Sequence, residues 1–201
     1  MHSPRSISDI EAIEAAPYDE YLPQRTVWEA LESAAARWPD RRALTYIEAP
    51  DLSRAPARWS YGDLRAQVVR AANLFHLAAN GTAPRVAMLL PNIPQAWFTL
   101  LGAETAGVVC PINYLLGPEH VAELVEATGA NMLVALGPHS ELDIWSRVEA
   151  VRRRCPGVRI FTVGGDAGAN DFDTALAQAP ADRLLAAQPA GRDTLAALFH
   201  T

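Results

Sequence analysis

Val86-Ala87-Met88-Leu89-Leu90 and Val108-Val109-Cys110-Pro111-Ile112, with residues 94–106 between them, decide the fold of this chain. Each run is short and continuously apolar, the pattern of a strand buried on both faces, whereas the intervening segment opens on Pro94 and is long enough for a helix. The alternation continues downstream. Residues 118–128 read as a helix stopped by Gly129, 132–136 as a strand, 141–154 as a helix before Pro156, and 158–163 as a strand. Strands that alternate strictly with helices are joined by right-handed crossovers. The fold class is therefore α/β, a doubly wound, mostly parallel sheet flanked by helices.

Upstream, Ser60 caps a helix on which Tyr61, Leu64, Val68, Ala71, Phe75 and Ala78 form one apolar stripe ending near Gly81. Before it, residues 43–47 and 58–59 are extended pieces around a Pro/Ala-containing loop, which suits a hairpin. Thr26 followed by Glu29 is a capping box, and it starts a helix with Val27, Ala30, Leu31, Ala34 and Trp38 on one face before Pro39. Residues 1–25 show no period and contain Pro4, Pro17 and Pro23, so they read as an arm laid over a body that spans 26–201. Toward the other end, 164–192 is rich in Ala, Gly, Asp and Pro and reads as a surface excursion with one amphipathic turn at 172–176. Residues 195–199 read as a last buried strand. A parallel-sheet protein does not usually stop on such a strand, because its ligand-binding loop comes next. The expectation is a longer chain, cut after Thr201.

At 201 residues a single body buries roughly 70% of its unfolded surface. The net charge of −6 argues against a nucleic-acid binder, which needs clustered positive charge. All 17 basic residues are arginine. A phosphate-loop lysine, a Schiff-base lysine and a lysine general base are thereby excluded from this chain. Cys110 and Cys155 have no ligand-spaced partners, and Arg5, Asp9, Glu11 and Glu14 stand where a signal peptide would be apolar, which fits the cytoplasm. The weakly charged stretch 96–116 is interrupted by Glu104, Gly107 and Pro111, so no membrane span is expected.

No assembled active site is legible, and neither a catalytic residue nor a metal ligand is assigned. His2, His76, His120, His139 and His200 show no metal-ligand spacing, and no serine sits in a nucleophile elbow. Glu104 is isolated in an apolar helix, where its plainest account is a narrow strip facing solvent. Arg152, Arg153 and Arg154 are either a phosphate attractor or, more simply, a helix end that complements the dipole. Gly164-Gly165-Asp166 follows a strand but lacks dinucleotide spacing. Two other loops follow strands and precede helices, Asn113-Tyr114-Leu115-Leu116-Gly117 and Gly137-Pro138-His139-Ser140. Each is either an ordinary connection or an anion-facing helix N-terminus.

A wider set of segments carries a resemblance: Thr26-Val27-Trp28-Glu29-Ala30-Leu31, Ala36-Arg37-Trp38-Pro39-Asp40-Arg41-Arg42-Ala43-Leu44 and Trp59-Ser60-Tyr61-Gly62-Asp63-Leu64. With Arg85-Val86-Ala87-Met88-Leu89-Leu90-Pro91-Asn92 and the run from Gly102 through Asn113, their order resembles the N-terminal subdomain of adenylate-forming enzymes, specifically acyl-CoA synthetases. The likeness covers about 20–200. It implies ATP-dependent conversion of a carboxylic or fatty acid to an acyl-adenylate with release of pyrophosphate, then thioester formation with coenzyme A, with Mg²⁺ neutralising the phosphates. It also implies that Thr201 stands at the edge of an ATP phosphate loop lying further on. By position, Asn113, Gly117, Gly137 and Ser140 resemble residues on the coenzyme A side. Tyr114 and Leu115 stand where some relatives have a glycine pair, and no arginine lies between Gly137 and Ser140. On this reading the chain alone is inactive and holds no cofactor tightly.

Two further readings use the same residues. One is a stand-alone, doubly wound module that holds a nucleotide or coenzyme A at its strand ends. The other is a structural or dimer-forming piece, since an uncovered sheet edge at 195–199 favours a homodimer.

Overall fold

The computed structural model describes residues 4–48, 54–164, 170–186 and 191–200. Helices α1 (Ile7–Glu14), α2 (Tyr18–Tyr21) and α3 (Val27–Arg37) precede a hairpin of β1 (Arg42–Tyr46) and β2 (Ala57–Ser60). There follow α4 (Tyr61–Ala78), β3 (Arg85–Leu89), α5 (Pro94–Ala106), β4 (Val108–Pro111), α6 (Pro118–Ala127), β5 (Met132–Leu136), α7 (Trp145–Arg154), β6 (Arg159–Val163) and α8 (Phe172–Gln178). The strands after α4 form one parallel sheet in the order β4-β3-β5-β6, with Val86 opposite both Val109 and Met132. The chain steps one way from β3 to β4, then back across β3 to β5 and on to β6. Right-handed crossovers therefore put α5 on one face and α6 and α7 on the other. Helices α3, α4 and α8 join the α5 face. Among the described residues no helix is long and apolar enough to cross a membrane.

Two-sided burial accounts for the apolar runs: all five side chains of β5 are buried, as are Val86, Ala87 and Leu89 of β3. Helix α4 is buried on more than one stripe, because α5 covers one side and α8 another. Val68, Val69, Ala71, Ala72, Asn73 and Phe75 are all fully enclosed. The α4–α5 contact needs Gly102, where a methyl group would stand 2.4 Å from Ala71 Cβ. Ser60 and Asp63 exchange side-chain and backbone hydrogen bonds in a complete capping box at the start of α4.

Several expectations change. Residues 7–14 form a helix whose own capping box, Ser6 with Asp9, supplies a start signal that the apolar pattern did not, and none of its side chains is buried. Helix α3 buries Trp28, Leu31 and Ala35, leaving Val27 and Trp38 exposed, so its inner face is turned about one residue from the expected stripe. Thr26 does accept from Glu29 N at 3.1 Å, but the Glu29 carboxylate bonds Arg25 N instead of Thr26 N. Helix α7 begins at Trp145 and not at 141, because the Asp143 side chain accepts from Ser146 N at 3.2 Å and takes the donor that an earlier turn would use. Residues 195–199 are not a buried strand. They touch the sheet through a single bridge, with Val109 N donating to Ala196 O and Leu198 N to Val109 O, both at 2.9 Å. Leu195 and Phe199 are exposed, since the segment pairs along one edge only.

The excursion after β6 is also not confined to the surface. Phe172 is fully buried and stacks on Phe75, ring centroids 6.4 Å apart. Fully buried Asn73 ties down the chain that follows α8: its amide donates to Pro180 O at 2.9 Å and Arg183 O at 2.8 Å, and its Oδ1 accepts from Leu185 N at 2.7 Å. A buried amide is tolerable only with such partners. Asn73→Ala is expected to cost about 2–4 kcal/mol, the loss of three buried hydrogen bonds, and to admit protease cleavage within 180–186. Urea unfolding with an unchanged midpoint would contradict this role.

Candidate functional site

Connections leave the carboxyl ends of β3 and β6 toward one face, and those of β4 and β5 toward the other. Where neighbouring strands send their chains in opposite directions a crevice opens, and open α/β sheets bind ligands there. The segments 112–117 after β4 and 137–144 after β5 each leave the sheet beside a neighbouring strand whose connection goes the other way.

Asn113 shapes the first loop. Its Oδ1 accepts from Leu115 N at 3.0 Å and its carbonyl from Leu116 N at 3.2 Å, so the side chain that sequence offered to a ligand is engaged in a turn. Gly117 caps α6 with φ −62 and ψ 151, its carbonyl accepting from Val121 N, and Pro118 follows at the first helical position. A side chain at Gly117 would meet nothing within 4 Å, so open space lies beside this cap residue. Leu115 is 74% exposed beside it.

In the second loop Gly137 answers to a backbone constraint. Its N–H donates to Val163 O at 2.9 Å, and a methyl group there would lie 2.0 Å from Gly164 O. The loop after β5 is thus pressed against the end of β6, and only glycine admits that approach. His139 Nδ1 accepts from Glu141 N at 3.1 Å, while Ser140 is exposed. Thr201 and 165–169, which include Gly165 and Asp166, lie outside the described residues.

One residue that sequence reasoning passed over joins the two loops. Arg147 Nε donates to Leu116 O at 3.0 Å, and its Nη1 donates to Asp143 O at 2.6 Å and to Asp143 Oδ2 at 3.1 Å. The carbonyl end of the first loop is therefore stitched to the first turn of α7. Hydrogen bonds from Ser146, helped by Arg147, hold the Asp143 carboxyl below the usual range. The available signal was an arginine in a first helical turn, where its charge opposes the dipole unless a carboxylate holds it.

The remaining candidates resolve plainly. Arg152 pairs with Glu149 at 3.0 Å, Arg153 with Glu119 at 3.2 Å and Arg154 with Glu126 at 2.8 Å, so the basic run closes a seam, largely between α7 and α6. Among the described residues no group of three His, Cys, Asp or Glu is placed to hold a metal. Burial raises the Cys110 thiol above its ordinary range, which keeps it protonated and a poor nucleophile. Glu104 is half-buried on the wall of a cavity, which leaves it a partial exposure, and burial pushes its carboxyl up.

A sequence family described as AMP-binding enzyme matches residues 31–201. The marinolic acid–CoA ligase of Pseudoalteromonas sp. (strain SANK 73390) is 34% identical over 200 residues, an alignment covering 98% of this chain and 30% of that protein. The crotonobetaine/carnitine–CoA ligase of Salmonella arizonae is 28% identical over 184 residues, covering 88% and 33%. Among solved structures, a Mycobacterium tuberculosis fatty acyl CoA synthetase aligns at TM-score 0.67 and 22% identity, over 88% of this chain and 32% of that one. A long-chain-fatty-acid-CoA ligase from Archaeoglobus fulgidus aligns at 0.69 and 18%, over 88% and 34%. At those identities the two structures establish the fold. The chain spans about a third of the length of the relatives it matches.

The two loop glycines are expected to respond oppositely. Gly137→Ala should cost about 1–3 kcal/mol through the clash with Gly164 O, whereas Gly117→Ser, a good helix cap in open space, should stay within about 0.5 kcal/mol of the parent. Equal unfolding midpoints for the two variants would refute the assignment. Glu104 gives a pH-dependent test. Its carboxyl is raised by folding, so its favourable contribution is present below the unfolded pKa and lost as pH rises through the folded one. Glu104→Gln should therefore leave Tm unchanged near pH 4 and raise it by about 1–3 °C at pH 7. A Tm difference that stays flat between those pH values would oppose it.

Proposed function

Because this chain belongs to the AMP-binding enzyme family, we propose that it is the N-terminal α/β part, residues 26–201 behind an N-terminal arm, of an ATP-dependent acid–CoA ligase. The reaction proposed for the whole enzyme is conversion of a carboxylic or fatty acid, ATP and coenzyme A to acyl-CoA, AMP and pyrophosphate. The observation that carries this reading is the 34% identity, sustained along 98% of the chain, to a protein named as an acid–CoA ligase.

The described residues fit ATP and coenzyme A unequally. Magnesium-bound ATP requires cationic or metal-held contacts along its phosphates. This chain has no lysine, and its described residues offer no acidic cluster for the ion. Coenzyme A fits better at the loops after β4 and β5, where the open N-terminus of α6 presents backbone N–H groups. Asn113 shapes that surface and Gly117 leaves it uncrowded. Gly137 fixes the second loop and Ser140 is exposed on it. Arg147 acts as a positioning residue for the first loop. Thr201 is proposed to border the ATP phosphate site. Two free cysteines, one of them buried, suit a reducing cytoplasm. Exposed Leu195 and Phe199 at the sheet edge suit self-association.

Adenylation draws nearly all its rate from holding the triphosphate and orienting the acid carboxylate at the α-phosphate. The 201-residue chain alone is therefore expected to show no acid-dependent ATP–pyrophosphate exchange, while a chain of full ligase length carrying the same residues shows it. Exchange by the 201-residue chain itself would overturn the proposal. Light scattering on the same preparation should give a dimer or larger species, and a strict monomer at high concentration would remove the self-association.

A further inference from the structure

On the α4–α5–α8 face, away from the loops just described, a cavity of about 410 Å³ opens between the β1–β2 hairpin and the first turns of α5 and α8. That volume lies within the ordinary range for small-molecule sites, about 300–1,000 Å³. Its walls include the rings of Tyr46, Trp59 and Phe98, the amide of Gln95 and the carboxylate of Asp173. Trp59 and Phe98 meet edge to face, centroids 5.7 Å apart and planes at 71°, so the two rings make a corner and not a flat stack. Gln95 Nε2 donates to both oxygens of Asp173, at 3.1 and 3.3 Å, and fixes the carboxylate across the space between α5 and α8.

The chemistry of this lining selects a charge sign. Aromatic faces are regions of negative potential, and the one ionisable carboxyl on the wall adds a full negative charge. The chain has no lysine, and none of the lining residues is an arginine. Pro94, also on the wall, takes the first position of α5 and removes an N–H that an anion would otherwise use. Elsewhere the chain pairs its rings with its own cations: guanidinium groups of Arg37, Arg65, Arg152 and Arg159 lie over Trp38, Trp28, Trp145 and Phe161. Among the described residues no such guanidinium covers Tyr46, Trp59 or Phe98. We infer that this cavity binds an organic ammonium group, with the half-buried Tyr46 and Trp59 beside its alkyl substituents, the buried Phe98 backing Trp59, and Asp173 as its counter-ion. The site stands apart from the acid–CoA ligase reading and does not depend on it.

The test uses the 201-residue chain and tetramethylammonium chloride as probe, followed by NMR at the Trp59 indole and Gln95 side-chain amide. Sodium acetate at matched ionic strength and tert-butanol, a neutral molecule of similar size, are the comparisons. The expected result is saturable shifts with tetramethylammonium, binding about tenfold weaker with tert-butanol and no saturable shift with acetate. Asp173→Asn should weaken tetramethylammonium about three- to tenfold. This variant keeps the fold, because Asp171 caps α8 by accepting from Thr174 N at 2.8 Å. Equal affinity for tert-butanol, full affinity in Asp173→Asn, or no saturable shift at all would each overturn the inference.

Discussion

Burial of the β3–β5 pair on both faces is the constraint from which the rest of this structure follows. Two adjacent parallel strands with buried side chains on both faces cannot stand at a surface, so each face must receive a layer of helices. Right-handed connections then decide which helix goes where. The reversal of direction between β4 and β5 sends α5 one way and α6 with α7 the other. The crevice at the carboxyl ends of the strands is a by-product of that reversal. It exists because of topology, before any side chain is chosen to line it.

What lines the crevice is mainly structural in its first duty. Asn113 folds its own loop, Gly137 lets β5 and β6 end side by side, and Arg147 spends its hydrogen bonds on Leu116 and Asp143. The surface left over consists of backbone donors at the start of α6 and open space above Gly117. That surface offers backbone N–H groups and space, and no lysine stands anywhere in the chain to do chemistry beside it.

The charges follow a similar division. The arginines of α7 pair mostly across to glutamates of α6, so a run that looks like a phosphate attractor serves as a seam between two helices. Solvent-exposed pairs of this kind contribute little energy each, about 0–1 kcal/mol. The other face is organised by aromatic and amide groups: Phe75 on Phe172, Trp59 against Phe98, and Asn73 holding the chain beyond α8.

By itself the sequence determined the alternation of strands and helices, the parallel sheet and the hairpin, because each rests on local apolar period and cap residues; the family was legible only as a resemblance, carried by the order of several longer segments. Residues 94–106 and 132–136 needed nothing from elsewhere in the chain to declare themselves. Tertiary structure alone decided which face of α3 turns inward, whether 195–199 counts as a strand, and that the segment after β6 is held down by an asparagine more than a hundred residues earlier. It also decided that Arg147 belongs to the strand-end loops and that Gln95 meets Asp173. These are contacts between elements far apart in sequence, and local period carries no information about them. A polar side chain such as Asn73 or Arg147 reads as surface until packing removes its water and a distant backbone group replaces it.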